Sequence, residues 1–174
     1  LKEQIVFPNS PYLLISIAKK IGFSNDFSKV KNQAKIFDDK NALNWVVSGR
    51  ASAAVLPLSH CVDSIIKDPR LSVHLPNEGS PLNWTVLASP KISSASIPSD
   101  SIELFFGENN WKRIIMKGFL PPYDFSDFRR KNINISQKYQ SIFLPEESVW
   151  KKCWSLPLLN LEEKKDLALT WNNS

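Results

Sequence analysis

A short strand-like run at 4–7, the punctuation Pro8-Asn9-Ser10-Pro11 and an apolar repeat at helical spacing fix how this chain begins to fold. Asn9 or Ser10 can cap the helix through a side-chain oxygen, and Pro11 suits the first helical position, where an N–H has no partner anyway. Leu13, Leu14, Ile17, Ala18 and Ile21 then recur on one face, and Gly22 is placed to end the helix. A strand that runs straight into a helix returns to its own sheet by a crossover. The opening therefore points to an α/β fold with a mainly parallel sheet.

That alternation continues to about residue 88. A weaker amphipathic helix is expected over 29–37 and another over 41–48, closed by Gly49. Residues 53–58 form a compact apolar run that reads as a buried strand, and Ser59 reads as the cap of a helix through Ile66. Leu71–Leu75 reads as a strand, 76–80 (Pro-Asn-Glu-Gly-Ser) as a turn and Trp84–Ala88 as a second strand. The character then changes. Residues 90–98 are rich in Ser and Pro and suit a crossing segment. Helices follow at 101–106 and 109–117, the latter ended by Gly118, with shorter ones near 146–154 and 161–171, and no strand is expected there. Trp111, Phe119, Trp150, Trp154 and Trp171 give this block much to bury and little sheet to bury it against. That imbalance suggests a missing partner surface.

Composition removes several classes. With 10 Phe and 6 Trp among 174 residues the chain carries too much apolar surface for a disordered tail. The net charge of +5 is spread out, and its densest cluster, Arg129-Arg130-Lys131, reads as a solvated face and not as a nucleic-acid stripe. Cys61 and Cys153 have no CxxC or HxxxH company, which leaves no zinc motif; one long-range disulfide and two buried thiols both stay open. The 5 scattered glycines build no phosphate loop. Ser59 and His60 are adjacent, whereas a nucleophile and its base need side chains that face each other. No catalytic residue, metal or cofactor is expected, and no run is long and apolar enough to cross a membrane. The opening at Leu1, without a signal peptide, reads as a processed or excised piece of a longer protein.

In order along the chain, several stretches resemble the C-terminal half of the spermidine/putrescine-binding proteins, of the type II periplasmic binding-protein class. IVFPNSPYLLISIAKKIGFS looks like the first strand and helix of the second lobe. ALNWVVSGRASAAVLPLSH is similar to a helix, Gly turn and strand at the cleft edge. VHLPNEGSPLNWTVLASP resembles the family's Pro-x-Glu-Gly turn and return strand, and IELFFGENNWKRIIMKGFLPPY its pair of helices ending in Gly-aromatic and prolines. LPEESVWKKCW and the final helix are weaker matches. The resemblance implies a second α/β lobe at 1–88, and at 89–174 a crossover with the C-terminal helices that complete a mostly absent first lobe.

Candidate ligand-binding residues come from two sources. Ligands of open α/β sheets bind beyond the carboxyl ends of the strands, which points to Asn9, Ser10 and Tyr12 after the first strand and to Ser59 and His60 after a later one. Simple helix capping is the larger energetic role expected of Asn9 and Ser10. The resemblance adds the family's ligand positions. Tyr12 stands where the family has an acid, Pro57 where it has Trp, Asn83 and Thr85 where it has Trp and Asp, and Phe119 where it has Tyr. Trp84 lies one step from the family's ring, and as a strand residue it reads either as cleft lining or as core. Polyamine capture needs carboxylates for the ammonium ends and rings along the stem, and the exchanged positions carry no carboxylate. Tyr12, Tyr123 and Tyr139 stand too far apart for the ferric site of a receptor of this fold. The expected function is that of a monomeric periplasmic or extracytoplasmic receptor, which delivers a small organic solute, such as a polyamine, to the permease subunits of an ABC importer. A ligand-sensing regulatory domain of the same bilobal fold is the alternative.

Overall fold

The structure, a computed structural model, describes residues 4–22, 27–84, 97–106, 108–120 and 137–173. The fold is mixed α/β with small parallel sheets. Strand β1 (Ile5–Phe7) lies between β2 (Ala34–Phe37) and β3 (Ala53–Ala54), parallel to both. Its backbone bonds on both edges: Ile5 N–H to Gln33 O at 3.2 Å and Asp38 N–H to Phe7 O at 2.9 Å on one side, Val55 N–H to Val6 O at 2.9 Å on the other.

Successive strand residues face opposite sides, so β1 needs cover on both. Helices α1 (Pro11–Lys20) and α2 (Ser28–Lys31) cover one face, where Phe7 packs with Leu14, Ile15, Ala18, Phe27 and Val30. Helix α3 (Ala42–Val47) covers the other, where Val6, fully buried, meets Ala42 and Ala51. Helix α1 starts as its sequence predicts, with Ser10 as N-cap, Pro11 in the first turn and the turn at Gly22 beyond Ile21.

Several local expectations are corrected. The segment 29–37 is not one helix, because α2 stops at Lys31 and Ala34–Phe37 pairs with β1 as β2. Its apolar spacing suits either period, and the open edge of β1 selects the strand. Strand β3 is two residues long, and α4 (Leu58–Lys67) starts with Pro57 at its N-cap, in extended geometry and without any side-chain cap bond. Ser59 is therefore not the cap. Leu71–Leu75 pairs with no strand among the described residues, and Trp84 lies beyond β4 (Pro81–Leu82). Contrary to the expectation of a strand-free C-terminal half, Trp154–Ser155 forms β5 and runs parallel to β4. The rest of the expected strand at 84–88 and the crossing segment at 90–96 lie outside the described residues.

The remaining helices among the described residues are α5 (Ser99–Phe106), α6 (Glu108–Ile115), α7 (Gln137–Phe143), α8 (Glu147–Trp150) and α9 (Leu161–Asn172). Trp111 and Ile115 of α6 pack with Phe143, Leu144 and Val62 of α4. Helix α9 lies along α1, its Leu167 and Trp171 against the Phe7 cluster. Lys31 donates to the Trp171 carbonyl and stands 4.6 Å from the centre of its ring, while Trp154 Nε1 donates to Ser16 Oγ at 2.8 Å. Elements from both sides of residue 88 thus share two of the described clusters. Cys61 and Cys153 are free thiols, which settles the open alternative, and burial pushes the Cys61 thiol up.

Two glycines permit close approaches. A Cβ on Gly118 (φ 80°) would lie 2.7 Å from Ser59 Cα, and one on Gly79 (φ 90°) 2.4 Å from the Lys152 carbonyl carbon. Gly49 shares the positive φ (72°) but has open space around it. Gly49→Ala should therefore cost about 1 kcal/mol in urea unfolding, the backbone penalty alone. Gly118→Ala should cost about 2–4 kcal/mol, because overpacking adds to it. Equal costs at the two positions would contradict this packing.

Candidate functional site

Because all three strands run the same way, the loops after them emerge at one edge of the sheet. The loop after β1 brings Asn9, the loop after β2 brings Asp38, Asp39 and Lys40, and the loop after β3 brings Leu56 and Pro57 into the first turn of α4. Asn9 N–H donates to Asp39 Oδ1 at 3.1 Å and ties the first two loops together.

Asp38 organises the second loop. Its Oδ1 accepts the N–H groups of Lys40 (3.0 Å) and Asn41 (2.9 Å), and its Oδ2 accepts Trp45 Nε1–H at 3.1 Å. These donors, led by the Asn41 N–H and the Trp45 indole, hold the Asp38 carboxyl below its ordinary range. With both oxygens accepting bonds from the following residues, Asp38 builds the loop.

Beside this loop opens a cleft of about 330 Å³. Asp39 and Lys40 line it with Leu43 and Asn44 of α3, and Leu56 and His60 line it from the segment around the α4 N-terminus. Ala42, 3% exposed, contributes from the start of α3. Asp39, Lys40, Asn44 and His60 are exposed. Among the described residues neither Asp39 nor Lys40 forms an ion pair, so two opposite charges stand side by side at the cleft without neutralising partners.

The residues predicted from sequence border this cleft more than they line it. Asn9 reaches it through its bond to Asp39, and Pro57 and Ser59 flank Leu56 and His60 in the chain. Ser10 Oγ accepts Leu13 N–H at 3.3 Å, the capping role. The Tyr12 hydroxyl donates to the Pro157 carbonyl, and its phenol is raised, by burial first and by Glu163 second. Phe119, 45% exposed, follows Gly118, whose backbone rests on Ser59 near the α4 N-terminus. Asn83 and Trp84 belong to the β4–β5 side. Trp84 is 57% exposed, neither core nor part of the cleft wall, and its indole N–H donates to Ser155 Oγ at 2.7 Å. Thr85 lies outside the described residues.

Sequence reasoning missed Asp39 and Lys40 because it took the preceding strand for helix, and Asn44 because it read as one polar residue of an expected helix. The signal was present: Ala34-Lys35-Ile36-Phe37 followed by Asp-Asp-Lys-Asn reads as a strand running out into a polar loop. Among the described residues no group of three or more His, Cys, Asp and Glu side chains could hold a metal ion, and no helix is long and apolar enough to cross a membrane. No protein-family model, curated protein or solved structure matches the chain.

The Asp38 bonds imply a pH signature. A carboxyl depressed in the folded state stabilises the fold above its unfolded pKa, near 3.8, and loses that contribution as pH falls through the lower folded value. Asp38→Asn, which does not titrate, should melt below the native chain at pH 7, and the difference should shrink towards pH 2. A constant gap across that range would remove Asp38 from this role.

Proposed function

We propose that this chain is part of a solute-binding receptor, which captures a small organic solute outside the cytoplasm and presents it to the permease subunits of an ABC importer. The observation that carries the reading is the open cleft at the carboxyl edge of a parallel sheet, where polar groups from separate loops converge over apolar Leu43 and Leu56. Reversible capture needs this combination: apolar area for affinity and a few placed polar groups for orientation. The segment order that resembles the polyamine receptors supports the same class and brings polyamines into the set of solutes to test. In this reading the sheet-bearing part supplies one wall of the binding site. A second lobe would close over it by hinge motion, and no bond is made or broken. The receptor acts as a monomer, since its partner surface is the permease.

Binding to the folded state alone raises the melting temperature by mass action, by about 2.7 kcal/mol of stability when the solute is at one hundred times its Kd. A thermal-shift panel of spermidine, putrescine, neutral amino acids, small carboxylates and sugars at millimolar concentration, run on the receptor with both lobes present, should therefore contain at least one solute that raises the midpoint by several degrees. A panel in which every compound leaves the midpoint unchanged would contradict the receptor reading.

A further inference from the structure

We infer that the cleft takes a small zwitterion, an aliphatic α-amino acid, with its ammonium at Asp39 and its carboxylate at Lys40. The inference rests on the receptor reading and names the solute class. Its basis is the charge pattern of the wall. Asp39 and Lys40 are sequence neighbours that both line the cleft, and among the described residues neither is neutralised by an ion pair. Asp39 Oδ1 accepts the Asn9 N–H, which fixes the carboxylate in place and leaves Oδ2 open to a further donor. The backbone N–H of Lys40 is held by Asp38, so the loop that carries both charges is rigidly seated while the Lys40 ammonium stays uncommitted.

Both groups line one cleft of about 330 Å³, so a ligand that satisfies both carries both signs within that span, as a free amino acid does. A diamine would satisfy Asp39 but bring a second cation towards Lys40, and a simple carboxylate would leave Asp39 unmet. Charge-assisted hydrogen bonds at both ends orient the ligand. Leu43 and Leu56 then offer its side chain an apolar surface, and Asn44 presents an amide that can donate to the carboxylate or accept from the ammonium. The volume, about 330 Å³, lies at the small end of ligand sites and suits a compact molecule.

The test is isothermal titration of the receptor with both lobes present, using L-leucine and L-valine, beside N-acetyl-L-leucine, which lacks the ammonium, L-leucinamide, which lacks the carboxylate, and putrescine. A free amino acid should bind, and each blocked form of leucine should bind at least tenfold more weakly. Asp39→Asn keeps the acceptor for Asn9 and removes the charge, so it should weaken the free amino acid at least tenfold and leave N-acetyl-L-leucine unchanged. Lys40→Met should do the same with respect to L-leucinamide. Both variants should melt within a degree or two of the parent without ligand, which shows that the fold is intact. Leucinamide or N-acetylleucine binding as tightly as leucine would overturn the inference. Binding of putrescine with no binding of either amino acid would also overturn it and leave the receptor reading standing. Silence of every solute, here and in the wider panel, would remove both.

Discussion

The backbone of β1 bonds to a parallel strand on each edge, and the candidate site takes its geometry from that arrangement. A central strand buried on both faces cannot slip by one residue without exchanging Val6 for Phe7 between two differently shaped cores. With the register held, the carboxyl ends of all three strands come to the same edge. Asp38 then converts strand geometry into loop geometry, because its N–H still belongs to the β1 ladder while its carboxylate gathers Lys40, Asn41 and Trp45. Asp39 and Lys40 inherit their positions from that one residue.

The C-terminal half depends on the same unit. Among the described residues α9 buries Leu167 and Trp171 against the α1 face, and Trp154 and Lys31 add polar contacts there. Helices α6 and α7 bury Trp111, Ile115 and Phe143 against α4. The aromatic load that the sequence concentrates after residue 110 thus finds part of its burial on α1 and α4. Some apolar surface stays open: Leu158 is fully exposed, and Leu161, Leu104 and Leu169 are 72%, 67% and 59% exposed.

The α/β class was legible because strand, cap and helix follow one another locally at 4–22, where Ser10, Pro11 and Gly22 act through short-range rules. The second strand was not, since Ala34–Phe37 satisfies a helical and an alternating pattern alike, and only pairing with β1 decides between them. That one misreading hid Asp39 and Lys40. Strand β5 was illegible for a related reason: two residues between Cys153 and Leu156 carry no period at all, and β4 supplies the pairing edge from more than 70 residues away. The strand-end rule still led to Asn9, Ser59 and His60, which meet at or beside the cleft, because it depends only on where strands end. Tyr12, to which both the strand-end rule and the family resemblance point, is engaged by Pro157, and Trp84 stands on the β4–β5 side.

Bound at the carboxyl edge of the three-stranded sheet, as proposed, a small polar solute is located by backbone amide NMR of the chain, titrated first with L-leucine and then with putrescine. Whichever solute binds should shift the amides of Asn9, of residues 39–44, and of Leu56 and residues 58–60 together, with smaller changes elsewhere. Shifts concentrated around Trp84 and α9, or saturating binding that leaves the Asp39 and His60 amides unmoved, would contradict that placement.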